Sequence, residues 1–438
     1  MKIKMVLTIG LLAFFAASAA GHPGWPEGQT GESGNPSAAM ASFVPGQLIV
    51  KFKAGDKVPA LADERITRIF GDQIVSVSRE RHFGYLLIEA APGTDLFELK
   101  SKLAAEKWVQ AVSLNYKASM NGRIPSEQFF AYQYALQNTG QIFYPEKNLR
   151  GTVAADIKAT EGWSWSTSSS DTVIAIVDSG IALAHEDLKN KVTSGYDFVN
   201  DDDDPQDDNG HGTFVASLAG AETDNGIGIA GVAWNAMLMP VKVLDSQGKG
   251  NYLAIAAGIR YAADQGAKVI NLSLGGTIDS FILEDACQYA FEKGCILVAA
   301  AGDSGSSTVE FPAAYDALCL AVGASDANDT LALFSNRGPQ IDVVAPGVSV
   351  YGAIFNPARP SELRFYDWGN GTSLAAAHVS GAAALLLSYK PQLTNQQAMN
   401  LIKYTADDVN GGFKPGVDEE MGYGRINLQT LLSPYILN

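Results

Sequence analysis

A series of short, largely apolar and β-branched runs constrains the fold of this chain more than any other feature. The first, residues 172–177, reads TVIAIV and leads into Asp178-Ser179-Gly180. A strand with one wet face alternates apolar with polar residues, whereas an unbroken β-branched run belongs in a parallel sheet covered on both faces. Similar runs recur at 269–274, 296–301, 318–322 and 341–345, several followed by Gly-Gly, Gly-Asp or Pro-Gly. Helical patterns at 252–265 and 280–293 fall between them. The predicted fold is α/β: a doubly wound, mostly parallel sheet with helices on both faces. In such sheets sites form outside the carboxyl ends of the strands, which is where Asp178 falls.

The chain of 438 residues with 47% hydrophobic content can bury a large core and hold more than one unit. Its net charge of −16 argues against nucleic acid as a partner. Lys2 and Lys4 precede an apolar stretch over 5–15, followed by Ala17-Ser18-Ala19. That is the layout of an export signal, read as 1–20, and it is too short to span a bilayer. The Gly/Pro/Ser-rich segment 21–43 reads as a flexible leader. A secreted protein, extracellular or periplasmic, is expected, with no membrane association after signal removal. Three cysteines, Cys287, Cys295 and Cys319, leave at least one unpaired. Cys295 and Cys319 open two strand patterns, which allows a disulfide, but buried free thiols are the simpler reading.

Residues 44–118 change character. Strand patterns at 47–52, 74–78, 85–90 and 109–116 alternate with helical patterns at 63–70 and 94–106, the latter after an Asp95/Glu98 start signal. The order βαββαβ is the ferredoxin-like arrangement, a small α+β unit. Lying between an export signal and the α/β core at 119–438, it is placed where a pro-segment would be.

The chemistry concentrates in three short blocks. In residues 366–381, YDWGNGTSLAAAHVSG, a glycine turn precedes an apolar helix pattern that Pro391 ends. Ser373 opens that helix, where free N–H groups and the dipole favour negative charge, although serine is also a good N-cap. Residues 209–213, NGHGT, put His211 at a second helix start. Alone, that histidine suits a structural role as well as a chemical one. The third block is Asp178-Ser179-Gly180. A hydroxyl needs an adjacent imidazole to become a nucleophile, and the imidazole needs a buried carboxylate to fix its tautomer and stabilise its charge.

Together the three blocks resemble the subtilisin-like serine proteases (subtilases), in particular the thermitase-like branch, and the likeness runs from about residue 134 to 431. The chain order Asp, His, Ser is that of subtilisin. The resemblance implies a serine endopeptidase in which Asp178 orients, His211 acts as base and acid, and Ser373 attacks the scissile carbonyl. Leu374 and Ala377 stand where the family has Met and Pro. It also implies that the 44–118 unit is an inhibitory propeptide removed by autocleavage between about residues 116 and 127. Extended protein or peptide substrates would pair with Gly250, Asn251 and Tyr252 on one side and Ser273, Leu274, Gly275 and Gly276 on the other. Gly275 and Gly276, together with Ala300, Ala301 and Gly302, would line a largely apolar P1 pocket, and an apolar P1 preference is expected. Where the family carries an oxyanion-binding Asn this chain has Asp303, as in one proprotein-convertase branch. An ionised carboxylate cannot donate. Either a protonated Asp303 donates, or the Ser373 N–H acts at reduced rate, and a slower enzyme favouring mildly acidic pH is expected.

The acidic run at 197–208 resembles the second calcium loop of thermitase-like relatives, with Asp197, Asn200, Asp202, Asp204 and Gln206 at ligand positions. By itself it reads equally as a solvated loop. A second set resembles the family's strong calcium site: Asp187, the Asn225 side chain, carbonyls of Glu222, Ile227 and Ile229, and Glu127. Structural Ca2+ and a monomer are therefore expected. The alternatives are a selective processing protease and a weakly active or silent binding homologue, the latter because of Asp303.

Overall fold

The structure, a computed structural model, describes residues 43–52, 62–79, 85–116, 122–359 and 365–434. The export signal, the leader up to residue 42 and the 117–121 junction lie outside these residues. The chain divides into two compact units, Met1–Ala118 and Ser119–Asn438.

In the first unit the elements are β1 (Phe43–Phe52), α1 (Ala62–Phe70), β2 (Ile74–Arg79), β3 (Leu86–Ala90), α2 (Leu96–Ala104) and β4 (Val109–Tyr116). β1 begins at Phe43, the last residue of the segment read as leader, and pairs it with Tyr116. The antiparallel sheet has the order β2-β3-β1-β4, which is the ferredoxin-like arrangement. Leu48 and Val50 point to one face at the period of two and meet Leu99 and Leu103, one turn apart on α2. Asp95 caps α2 by accepting from the N–H groups of Phe97 and Glu98.

The second unit is built on a seven-stranded sheet. Its strands and main helices are β5 (Val173–Asp178), β6 (Tyr196–Asp197), α3 (His211–Gly220), β7 (Met237–Lys242), α4 (Tyr252–Asp264), β8 (Val269–Leu272), α5 (Phe281–Glu292), β9 (Ile296–Ala300), β10 (Cys319–Ser325) and β11 (Val343–Pro346). A hairpin follows, β12 (Val350–Ala353) with β13 (Tyr366–Gly369), then α6 (Thr372–Tyr389) and α7 (Asn395–Tyr404). The sheet order is β11-β10-β9-β8-β5-β7-β6, and every ladder in it is parallel. Side chains of opposite parity enter two separate cores. Ile174 and Ile176 face α3 and α6, while Ala175 and Val177 face α4 and α5. Two covered faces leave no room for polar alternation, which is why these strands read as apolar runs.

Two strands escape the sequence pattern. β7 carries Pro240, which argues against a central strand. It is tolerated because the outer neighbour β6 pairs only with Val241 and Lys242. Helix α6 is apolar around its whole circumference and buried from Leu374 to Leu386, the mark of a helix inside a core. It is the one described helix long and apolar enough to cross a membrane, and here it is the central packing element. All three cysteines are buried free thiols, so the Cys295–Cys319 pairing is not formed. Cys295 Sγ donates to the Ala267 carbonyl instead, and Cys319 is in contact with Cys287.

Candidate active site

Asp178 ends β5 and is fully buried. Its Oδ1 accepts from the Ser179 N–H at 2.7 Å, and both its oxygens accept from His211 Nδ1, at 2.8 and 3.0 Å. Because a carboxylate only accepts, Nδ1 carries the proton and Nε2 presents its lone pair. Burial by itself would lower the imidazole pKa. The charge and hydrogen bond of Asp178, with smaller contributions from Asp207 and Asp303, outweigh it and raise the pKa above the ordinary value.

The contact exists because β5 and α3 are locked together. Gly212 approaches β5 so closely that a Cβ there would lie 2.1 Å from the Gly180 carbonyl. Gly210, at φ +109°, turns the chain into the helix in a conformation that favours glycine. Asp207 is buried, and its Oδ1 accepts from Ser179 Oγ and from the N–H groups of Asn209 and Gly210, at 2.9 to 3.0 Å. Its Oδ2 accepts from both donors of Thr213. Lys242, fully buried at the end of β7, donates to the Ser179 and Leu244 carbonyls and to Asp208 Oδ1. The acidic run before the histidine therefore braces His211 against Asp178. Nothing in the sequence pattern separated Asp207 and Asp208 from their acidic neighbours.

Ser373 is the second residue of α6, whose N-cap is Gly371 without any side-chain cap, so the serine hydroxyl is not used for capping. Its Oγ donates to the Ser273 carbonyl at 3.2 Å, and Ser273 Oγ donates back to the Ser373 carbonyl at 2.8 Å. This exchange fixes the start of α6 to the end of β8. A groove of about 630 Å³ lined by His211 and a cavity of about 320 Å³ lined by Ser373 share Leu274 and Gly275 as wall. Asp178 and His211 are thus hydrogen-bonded, and Ser373 faces the adjoining space.

Tyr252, Ser273, Leu274 and Gly275 line the groove, and Gly302 lines the cavity. Gly276 instead pairs with Phe311 through two backbone bonds of 2.9 Å. The Asn251 side chain caps α4 by accepting from the Ala254 N–H, while Gly250 and Tyr252 line the groove. One expectation needs correction. Ala301 is fully buried in the core, and the wall is Ala300 and Gly302. The cavity also differs from the largely apolar pocket expected, because the carboxylates of Asp303 and Glu310 line it. Glu310 lies in no motif; only the pairing of Phe311 with Gly276 carries it there.

Asp303 Oδ1 accepts from the Thr372 N–H at 2.8 Å and from its hydroxyl at 2.7 Å. The same hydroxyl accepts from the Gly302 N–H at 3.1 Å, clamping the 302–303 turn to the start of α6. That oxygen works as an acceptor. Together with its contribution to the basicity of His211, this opposes the expected shift to mildly acidic pH.

The two calcium candidates differ. Glu127 is buried and its Oε1 accepts from the N–H groups of Asp224 and Asn225, while Oε2 is buried without a partner. Asp187 is fully buried, with Oδ2 accepting from Ile229 N–H and Oδ1 without a partner. Burial above all pushes the Asp187 pKa up to about 7, and Glu127 adds to the effect. Two orphaned carboxylate oxygens beside one loop fit a hard cation well. Asn225 Oδ1 is bonded to the Ile227 N–H in this state. In the 197–208 loop several of the candidate ligand oxygens instead accept hydrogen bonds from the protein. Asp197 accepts from Val199, Asn200 and the Asn200 amide, Asp202 accepts from the Asp204 N–H, and Gln206 Oε1 accepts from Leu183. Among the described residues no three His, Cys, Asp or Glu side chains gather for a metal.

Comparisons with known proteins agree with this geometry. The model of the subtilase family (Peptidase_S8) matches residues 169–424. A thermophilic serine proteinase of Bacillus sp. (strain AK1) is 37% identical over 98% of this chain and 98% of its own. Thermitase of Thermoactinomyces vulgaris is 44% identical over 58% of this chain and 88% of its own. Among solved structures, a protease from Pseudoalteromonas arctica PAMC 21717 matches with a TM-score of 0.59 at 27% identity, covering 70% of this chain and 98% of the other. With a carboxylate-bound imidazole and a helix-start serine along one cleft of a doubly wound sheet, the chain belongs to the subtilase family and is a serine endopeptidase.

Proposed function

We propose that Asp178, His211 and Ser373 are the catalytic triad of a secreted, calcium-stabilised endopeptidase that matures by removing its own 44–118 propeptide. The observation that carries this reading is the bond from His211 Nδ1 to Asp178, which leaves Nε2 as a base toward the cleft. His211 takes the Ser373 hydroxyl proton as Oγ attacks the scissile carbonyl, then returns it to the leaving amine. Asp178 holds the tautomer and stabilises the imidazolium. The Ser373 N–H, free at the helix N-terminus, meets the developing oxyanion. Asp303 occupies the position where the family supplies a second donor, so turnover is slower than with an amide there. Extended substrate lies between Gly250–Tyr252 and Ser273–Gly275 as an added strand.

Ca2+ at Glu127 and Asp187, with Asn225 and the carbonyls of Glu222, Ile227 and Ile229, would supply the charge that the orphaned oxygens need. Its role is structural. An acidic P1 pocket favours selective processing over broad digestion, because each additional charge requirement excludes substrates.

The test is self-processing. The full chain and its Ser373→Ala variant are expressed with calcium and their masses followed over time. The parent is expected to cut between about residues 116 and 127 while the variant stays intact. Cleavage of both would remove Ser373 from the mechanism.

A further inference from the structure

We infer that Glu310 makes the cavity beside Ser373 a receptor for a positively charged P1 side chain, lysine or arginine. The inference rests on Ser373 as nucleophile, because only then is this cavity the place where P1 lies.

The Glu310 side chain is held in the wall by its backbone and packs against two glycines. Its own N–H donates to the Ala301 carbonyl at 3.0 Å, and the next residue, Phe311, is paired with Gly276. A Cβ on Gly275 would lie 2.9 Å from Glu310 Oε2, and one on Gly302 would lie 2.8 Å from its Cδ. The two glycines therefore leave the space that the carboxylate fills. Asp303 lines the same cavity. The Glu310 carboxylate has neither an ion-pair nor a hydrogen-bond partner among the described residues. Its pKa is raised, first by burial and then by the charge of Asp303.

Two carboxylates facing one half-buried space repel each other and lose hydration when substrate seals it. An aromatic or aliphatic P1 group would impose that cost with nothing in return. An ammonium or guanidinium group would remove it, and arginine could meet a carboxylate with two parallel hydrogen bonds. Selection here is attraction of cations together with rejection of apolar groups. Glu310 is not needed for the proton transfers, so it affects which substrate is cut and not how.

The experiment uses the mature enzyme, obtained from the full chain, and peptide substrates that differ only at P1: Lys, Arg, Phe, Leu and Glu. Active sites are counted beforehand by covalent labelling of Ser373 with a sulfonyl fluoride. Lys and Arg are expected to exceed Phe in kcat/KM by at least about 10-fold, and Glu310→Gln should lower their kcat/KM by roughly 10- to 100-fold, the size of one charge-assisted contact. The same variant should raise cleavage after Phe. Benzamidine, a small cation, should inhibit the parent competitively, which tests the pocket even if the variant does not fold. Preference for Phe or Leu in the parent together with indifference to benzamidine would overturn the inference while leaving the triad intact. A parent whose Ser373 takes no label would overturn the nucleophile assignment and the P1 reading with it.

Discussion

At the scale of single residues, His211 is where the charges of the site are read out. It must be neutral to accept the Ser373 proton, so kcat/KM rises with pH as the imidazole loses its own proton. Burial alone would lower its pKa, but Asp178 foremost, then Asp207 and Asp303, raise it, which places the acid limb above the ordinary histidine range. Asp303→Asn removes one of those charges and supplies an amide donor. Two changes are expected together: kcat higher by about 10²-fold, the worth of one oxyanion donor, and an acid limb moved to lower pH. A pH profile of kcat/KM for both proteins checks this. An unmoved limb would show that Asp303 and His211 are not electrostatically coupled.

At the scale of elements, the start of the second unit is held by a loop that carries unneutralised charge. Glu127 is tied to 224–225 by two backbone N–H groups and Asp187 to Ile229, yet each keeps one buried oxygen without a partner. A bound divalent cation stabilises only the folded form, by about 2.7 kcal/mol at a hundredfold excess over Kd. Chelation is therefore expected to lower Tm by several degrees, and Glu127→Gln should remove most of that calcium response. Thermal melts with Ca2+ and with a chelator decide it, and equal Tm values in both would exclude this loop as a cation site. The 197–208 loop is expected to contribute less, since the Asn200 amide already occupies Asp197 Oδ2 at 2.8 Å.

At the scale of the whole molecule, the end of the chain closes the sheet. Arg425 is 3% exposed and its guanidinium pairs with Asp329 and Asp407, while its backbone bridges both Val344 of β11 and Asp407. Asn427 adds two bonds to Asp407 at 3.0 Å. Arg425→Met would leave Asp329 largely buried without its cation, and removing one partner of such a pair costs about 3–5 kcal/mol. The lower end is expected because Asp407 is 39% exposed. Urea unfolding measures it, and a loss under about 0.5 kcal/mol, the range of ordinary surface changes, would mean that the network holds nothing.

What the sequence determined by itself is whatever local pattern and short motifs encode. Apolar runs such as Val173–Asp178 identify a parallel sheet because burial on both faces forbids alternation, and the ferredoxin-like order follows from strand and helix periods. Asp178, His211 and Ser373 stood out as candidates because each sits in a glycine-bearing turn at a strand or helix end. The tertiary structure alone decided what depends on two distant segments meeting. Glu310 enters the cavity beside Ser373 only because Phe311 pairs with Gly276, thirty-five positions earlier. Asp207 braces the catalytic pair only because its oxygens reach Ser179 and Thr213 at once. Asn251 is spent on a cap and Ala301 on the core, since side-chain direction follows from packing and not from position in a motif.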